Sequence, residues 1–362
     1  METKTEKPAV RTSGANRATK SGFLPTPIPR VQIQKLTVML TETCNLDCWM
    51  CDFAKSKGLT KSLAMTPTEL VELLQHPVFN RLSAITFTGG EPFAHPNVAQ
   101  YYLLIKRSLG HVHVNFSSNS TLFARMLSVF KTVGDWRKVG LLVSIDGVTK
   151  HDLQRGTRGS LAKTIANLDR LREHFPDLSI TLKFTITPVN YDEIHATYKW
   201  VSEKGYSMTM KMLEYNEFYT SKLKIASDQE RFVFTPEQLD SIRAQLEAIL
   251  CHVPRRSGPR RTAEIREVLD SLSPEWRRPG KCLTPTKGGF LDCDLNLFTC
   301  KEYAPVVNLR TSSLDELAAA PQLHEICLHE RQNSGQCTRC TSQMKIQAGA
   351  TNWLTYLKSL AG

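Results

Sequence analysis

The sequence predicts an α/β protein, a partial (β/α)6 TIM-like barrel followed by a small Cys-rich domain with a β-hairpin. Three observations predict it. Six short β-rich runs alternate with segments of helical spacing between residues 34 and 216, the pattern of a parallel sheet whose crossovers are helices. Cys44, Cys48 and Cys51 directly follow the first run. Six further cysteines fall between Cys282 and Cys340, around two short strand-like runs.

The elements follow in chain order. Residues 1–33 are basic and polar and lack periodicity over most of their length, so a disordered tail is expected. Within it, Leu24-Pro25-Thr26-Pro27-Ile28-Pro29 is expected to be extended, because proline disfavours helix in itself and in the residue before it. Strands are predicted near 34–41, 83–88, 111–117, 139–145, 179–187 and 207–213. Helices are predicted near 67–76, 97–108, 121–132, 160–174 and 191–204. The core thus covers 34–216, and in barrels of this kind chemistry sits at the C-terminal ends of the strands. Residues 217–281 break the rhythm and read as a helical linker packing on the core. In it, Thr235 is the expected N-cap and Pro236 the first helical position. An amphipathic helix over Leu239–Leu250 and a second helix near 262–273 are expected there. Residues 282–345 form the cysteine-rich unit and 346–362 a C-terminal helix.

Composition narrows the class. The 362 residues are 41% hydrophobic and 22% charged, ordinary for a globular protein. No stretch approaches the ~20 apolar residues of a membrane span and no signal-peptide core is present, so a cytoplasmic protein with no membrane partner is expected. The net charge of +11 suits an acidic or phosphate-bearing partner. Zinc-finger spacing, an aromatic RNA-binding signature and a helix-turn-helix signal are lacking, which argues against nucleic acid. Ten cysteines in a reducing compartment point to metal ligands or reactive thiols rather than disulfides.

Cys44, Cys48 and Cys51 give C-x3-C-x2-C at the mouth of the predicted barrel. Thiolates suit iron–sulfur clusters or zinc. A structural zinc wants four ligands, and Asp52 is the fourth candidate nearby. A cubane cluster normally takes four cysteines, so three leave one iron open to chelate an amine and a carboxylate. Partial zinc binding and three buried thiols remain the competing readings of the cysteines alone.

With these cysteines, the rest of the chain resembles the radical S-adenosylmethionine (SAM) superfamily. Its cysteine spacing is matched without insertion, and Trp49 is aromatic as the family pattern expects. Gly89-Gly90-Glu91-Pro92, at the end of the second predicted strand, resembles the family element that meets the SAM amino group; glycine there lets backbone approach a ligand. Ser117-Ser118-Asn119-Ser120 resembles the position where a polar residue contacts the SAM ribose, although Ser118 or Ser120 also reads as a helix cap. Ser144-Ile145-Asp146-Gly147, His151-Asp152 and Arg155 resemble the SPASM/Twitch branch. There the Ser144 and Arg155 positions reach the SAM carboxylate or ribose, and a guanidinium fork suits a carboxylate. The resemblance therefore implies a [4Fe–4S] cluster on Cys44, Cys48 and Cys51, and SAM held by Trp49, Gly89, Gly90, Glu91, Ser117, Asn119, Ser144 and Arg155. Reductive cleavage of SAM would make a 5′-deoxyadenosyl radical that removes a substrate hydrogen. It also implies a flavodoxin- or ferredoxin-type reductant.

The C-terminal unit resembles a Twitch domain, implying a second, auxiliary [4Fe–4S] cluster on Cys282, Cys300, Cys337 and Cys340; a four-cysteine zinc ribbon is the competing reading. Its hairpin is expected over 289–299 with a turn near Cys293-Asp294. Leu295 stands where the pattern usually has glycine, so a different turn is expected. Cys293 and Cys327 are surplus, and Cys251 stands apart.

Lys183, Thr187, Lys211 and Glu214 lie on or near the last predicted strand ends. Glu214, Tyr215 and Cys293 are candidate catalytic groups. The substrate expected first is a small metabolite such as a sugar, cyclitol or nucleotide-linked compound, which the enzyme would oxidise, epimerise or rearrange. A ribosomally made precursor peptide is second, because residues 1–33 are too short and polar to form a leader-binding domain. A non-catalytic electron carrier or zinc scaffold is the reading from another class, and it has no need of an open iron or a SAM cradle.

Overall fold

In the computed structural model, residues 31–53, 61–132, 138–213, 232–252, 259–277, 284–300 and 304–319 are described. Nearly all of the basic tail, residues 346–362 where a C-terminal helix is expected, Glu214, Tyr215, Cys282, Cys327, Cys337 and Cys340 lie outside them.

Six parallel strands form the core: β1 (Lys35–Thr41), β2 (Ala84–Gly89), β3 (His113–Ser118), β4 (Val139–Ser144), β5 (Ser179–Ile186) and β6 (Ser207–Met212). The intervening helices are α1 (Pro67–Leu73), α2 (Val98–Ser108), α3 (Phe123–Lys131), the single turn α4 (His151–Gln154), α5 (Ser160–His174) and α6 (Ile194–Glu203). The predicted strands and helices are in place, mostly within one or two residues. The first helix is shorter than expected: it stops at Leu73, and a 3-10 turn, Pro77–Phe79, follows. Its start is set by a capping box. Thr66 Oγ1 accepts from Glu69 N (3.3 Å) and Glu69 Oε2 accepts from Thr66 N (2.7 Å), with Pro67 at the first helical position.

The strands alternate, as a sheet with two unlike faces must. In β3, Val114 and Phe116 are buried under the helices, while His113, Asn115 and Ser117 are half-buried on the inner face. Outside the sheet the core is aromatic. Phe116 stacks on Phe93 at 5.1 Å between ring centroids and meets Phe130 edge-on at 5.8 Å. Each such buried ring contributes about 1.5–3 kcal/mol. The inner face is largely polar, with Thr37, Thr86, Asn115, Thr185 and Thr209.

Among the described residues the barrel is open. The strand order is β6-β5-β4-β3-β2-β1, and three further strands continue past β1. These are β7 (Gly288–Leu291), β8 (Asn296–Phe298) and β9 (Val307–Asn308). β7 runs parallel to β1, pairing Thr37 with Phe290, and β8 returns antiparallel. The cysteine-rich unit therefore starts on the edge of the core sheet and covers the strand that leads to the first cysteines. Its hairpin turns at 292–295, with Leu295 at φ +66°. Leucine thus takes the left-handed conformation that glycine would adopt at less cost. Asp292 Oδ1 holds it by accepting from Asp294 N (2.9 Å) and Asn296 N (2.8 Å).

Two linker helices, α7 (Pro236–His252) and α8 (Pro259–Ser271), pack on the barrel. α7 lies against α6, and α8 against β6. Thr235 caps α7 as expected, accepting from Gln238 N (3.3 Å) while Gln238 Oε1 accepts from Thr235 N (3.0 Å).

Candidate active site

The loop carrying Cys44, Cys48 and Cys51 leaves β1 at the C-terminal mouth of the sheet, and two neighbouring elements hold it. The first is the turn after β2. Gly90 N donates to Thr41 O (2.7 Å) and Glu91 N donates to Thr43 O (2.8 Å). A Cβ on Gly90 would lie 2.3 Å from Thr43 O and 2.5 Å from Glu42 O. The glycine is thus required by the approach of the cysteine loop itself, whatever ligand lies beyond.

The second is the tripeptide at the end of α4, whose members meet the loop residue by residue. Gln154 O accepts from Trp49 N (3.0 Å), and Gln154 Nε2 donates to Met50 Sδ (3.1 Å). Arg155 Nη1 donates to Cys48 Sγ (3.8 Å). Gly156, at φ +62°, lies so close to Asp47 that a Cβ would fall 1.8 Å from Asp47 O. The sequence signalled Arg155 and Gly156 but not Gln154, which is completely buried.

Arg155 also pairs with the buried Asp146 through Nη2. Asp146 Oδ1 accepts from Thr185 N (2.8 Å), which ties the pair to β5. Burial alone would lower the arginine pKa, but Asp146 and Cys48 outweigh it and keep the guanidinium charged. Its buried Nε has no hydrogen-bond partner among the described residues.

The polar groups after β3 divide into committed and available ones. Glu91 is buried and accepts from Ser118 Oγ (2.8 Å), Asn119 N (2.8 Å) and Phe93 N (3.2 Å). Burial pushes its carboxyl up to about 7. Asn119 is spent as well: Nδ2 donates to Asn45 Oδ1 (3.1 Å), and Oδ1 accepts from Thr121 N (3.0 Å) and Oγ1 (2.8 Å). Neither Ser118 nor Ser120 caps a helix, since α3 starts at Phe123 after Leu122; Ser118 instead accepts from Ser120 N (2.8 Å). Ser117 and Ser144, half-buried at the ends of β3 and β4, keep free hydroxyls among the described residues. Thr187 is buried on Gln154 Oε1 (3.0 Å) and Asn190 Oδ1 (3.1 Å). Lys183 and Lys211 share the inner face of β5 and β6, beside Ser144 and Thr185.

On its other side the loop is dry. Cys51 packs against Met39, Phe53, Phe290, Cys293 and Phe298, and Cys293 Sγ donates to Met39 O (3.5 Å). Cys300 is half-buried. Trp49 lies against Phe232, 5.2 Å between ring centroids.

The donor set fits a soft cluster. Burial pushes the Cys44 and Cys51 thiols up to about 12, so free thiolates are disfavoured until a metal replaces the proton. Among the described residues, no three His, Cys, Asp or Glu side chains converge on a single-ion site. The orphaned Nε of Arg155 suits an incoming carboxylate.

A parallel half-barrel with three thiols at the end of its first strand defines a class of enzyme, and comparison with known proteins agrees. The model of the radical SAM superfamily matches residues 38–201. GTP 3′,8-cyclase of Chlorobaculum tepidum is 26% identical over 188 residues, 51% of this chain and 54% of that protein. The antilisterial bacteriocin subtilosin biosynthesis protein AlbA of Bacillus subtilis is 28% identical over 173 residues, 47% and 37% of the two chains. The chain thus spans about half or less of the length of these curated relatives. The crystal structure of Streptococcus suis SuiB bound to S-adenosylmethionine has the same fold, with a TM-score of 0.61 at 12% identity over 82% of this chain and 68% of that one. Residues 38–201 thus match the radical SAM superfamily, and the similarity to AlbA and SuiB supports its SPASM/Twitch branch. That family uses a [4Fe–4S] cluster and SAM, and its SPASM-type homologues carry auxiliary clusters. Among the described residues no helix is long and apolar enough to cross a membrane.

Proposed function

We propose that this radical SAM enzyme binds its SAM-cleaving cluster through Cys44, Cys48 and Cys51 and acts on a small anionic metabolite held inside the half-barrel. When bound, cluster and SAM supply one-electron cleavage to a 5′-deoxyadenosyl radical, which removes a substrate hydrogen. The protein's part is to place the reactants and exclude water.

The observation that carries the reading is the buried, partnerless Nε of Arg155 beside the Cys48 loop. It offers a charged donor to the SAM carboxylate. The free hydroxyls of Ser117 and Ser144 are offered to the polar remainder of SAM. Glu91 and Asn119 act from behind by fixing the end of β3, which leaves the main-chain groups of Gly89 and Gly90, other than the committed Gly90 N, to meet the ligand. Trp49, braced by Phe232, walls the site.

A polar inner face with Lys183 and Lys211 supports a small anionic substrate over an apolar one, and a nucleotide-linked compound agrees with the similarity to a GTP 3′,8-cyclase. Oxidation, epimerisation and rearrangement all lie within this chemistry. Cys293, buried in the dry cluster, is poorly placed to meet such a substrate. Glu214 and Tyr215 stay candidates for acid–base work. Modification of a ribosomal peptide is the second reading, favoured by the similarity to AlbA. The auxiliary cluster is assigned to Cys282, Cys300, Cys337 and Cys340, and the electron to a flavodoxin- or ferredoxin-type donor.

Anaerobically reconstituted protein should hold about eight irons and release 5′-deoxyadenosine under reduction. Cys44→Ala should abolish that release and Cys337→Ala should leave part of it. Equal loss in both variants would refute the division of roles. Consumption of nucleotides and sugar phosphates, set against precursor peptides, decides the substrate class.

A further inference from the structure

Of the three residues that α4 sets against the cysteine loop, only Arg155 reaches a cysteine sulfur. Its Nη1 stands 3.8 Å from Cys48 Sγ, within range of an N–H···S hydrogen bond. Its Nη2 is held by Asp146, which is 0% exposed. We propose that Arg155 and Asp146 are positioning residues that set the reduction potential of the cluster on Cys44, Cys48 and Cys51. Arg155 raises that potential through its charged contact with Cys48. Asp146 aims the guanidinium and partly offsets its charge. The inference rests on the assignment of those cysteines made above.

Nothing in this arrangement is free to drift. Asp146 is fixed through both its side chain and its main chain. Thr185 N donates to Oδ1 (2.8 Å), Asn190 Nδ2 donates to Asp146 O (2.9 Å), and Asp146 N donates to His151 Nδ1 (3.1 Å). His151 O in turn accepts from Arg155 N (2.8 Å). One histidine therefore ties together the backbones of both partners. A planar fork with one arm on a fixed carboxylate has little choice about where its other arm points.

Reduction adds an electron to a cluster already ligated by thiolates. Hydrogen bonds to the sulfurs and nearby positive charge favour that reduced form. Burial removes the counterions that would screen the effect at the surface. Removing the cation and removing the anion must then move the potential in opposite directions. A purely structural role for the pair predicts no such opposition.

The test is an EPR-monitored redox titration of the full chain, anaerobically reconstituted, following the signal that changes when SAM is added. Wild type is compared with Arg155→Gln, Arg155→Lys and Asp146→Asn, with iron content measured for each. Arg155→Gln is expected to lower the midpoint potential, and Asp146→Asn to raise it. Arg155→Lys, which keeps the charge but not the fork, is expected to fall between Arg155→Gln and wild type. A wild type without a SAM-responsive four-iron signal would defeat the cluster assignment itself. A normal wild-type cluster with unmoved midpoints in Arg155→Gln and Asp146→Asn, or shifts of one sign, would overturn the inference alone. Should Asp146→Asn fail to fold, the two arginine variants decide: equal shifts, or equal loss of the cluster, make Arg155 a scaffold of the loop and end the proposal.

Discussion

A Cβ built on Gly156 would lie 1.8 Å from the main-chain oxygen of Asp47, so the cysteine loop and the end of α4 pack backbone to backbone. The adjoining Gln154 O accepts from Trp49 N at 3.0 Å, and no side chain can fit between the two segments. Gly156→Ala is therefore expected to displace the loop and lower iron content after reconstitution severalfold. Gly159→Ala is the control. Gly159 also has positive φ, +78°, but open space where its Cβ would go. That variant should lose about 1 kcal/mol of stability in chemical denaturation and keep its iron.

Glu91 illustrates how a carboxylate becomes irreplaceable by its nearest isostere. Main-chain N–H groups point at both oxygens, Phe93 N at Oε1 and Asn119 N at Oε2. A glutamine must turn its NH2 toward one of them, whichever way it flips. Glu91→Gln is expected to cost about 1–3 kcal/mol for the unsatisfied donor, read by denaturation of the metal-free protein. A loss below a few tenths of a kcal/mol would show that the end of β3 does not depend on this carboxylate.

The sequence displayed the strand positions because each inner strand carries its own hydrophobic run, and the first cysteines because their spacing is local. What it concealed is contact between segments far apart in the chain. Gln154 looks like an ordinary residue of a helix end until it meets Trp49 more than a hundred positions earlier, and nothing near Gly156 in the chain seats it on Asp47. Glu91 and Asn119 showed their chemistry, but not that it is spent on Ser118, Thr121 and Asn45. The pairing of β7 with β1 was equally hidden, since nothing in a short apolar run names its neighbour. The left-handed Leu295 was flagged only as a departure, because sequence gives residue identity and not φ.

His151 should make the metal-free protein acid-sensitive. Its Nδ1 accepts from Asp146 N at 3.1 Å, which requires an unprotonated nitrogen. Burial first, then the nearby Arg155, pushes its pKa down to about 3. The unfolded chain, at about 6.5, binds the proton more readily than the folded one. Stability from this group is thus complete above pH ~6.5 and declines as pH falls toward 3, by up to roughly 4–5 kcal/mol. His151→Asn, which keeps an acceptor but cannot titrate, should flatten stability against pH in that window. An unchanged slope in the variant would remove His151 from the account.

Leu295 offers the test in which two known effects oppose each other. The left-handed backbone at φ +66° costs a leucine about 1–2 kcal/mol that glycine would not bear. The same side chain is buried, 6% exposed, in the core cluster that also holds Leu297 and Val307. Deleting a buried leucine costs about 2–5 kcal/mol once the cavity is counted, and glycine adds about 0.5–1 kcal/mol of backbone entropy. The packing loss outweighs the relief of strain, so Leu295→Gly should destabilise the protein by about 0.5–5 kcal/mol even though glycine suits the turn. Leu295→Asn, which tolerates the same φ better than leucine but buries a polar amide, should fare no better. A glycine variant at least as stable as wild type in denaturation would mean that the turn, and not the core beneath it, governs how the hairpin sits on β1.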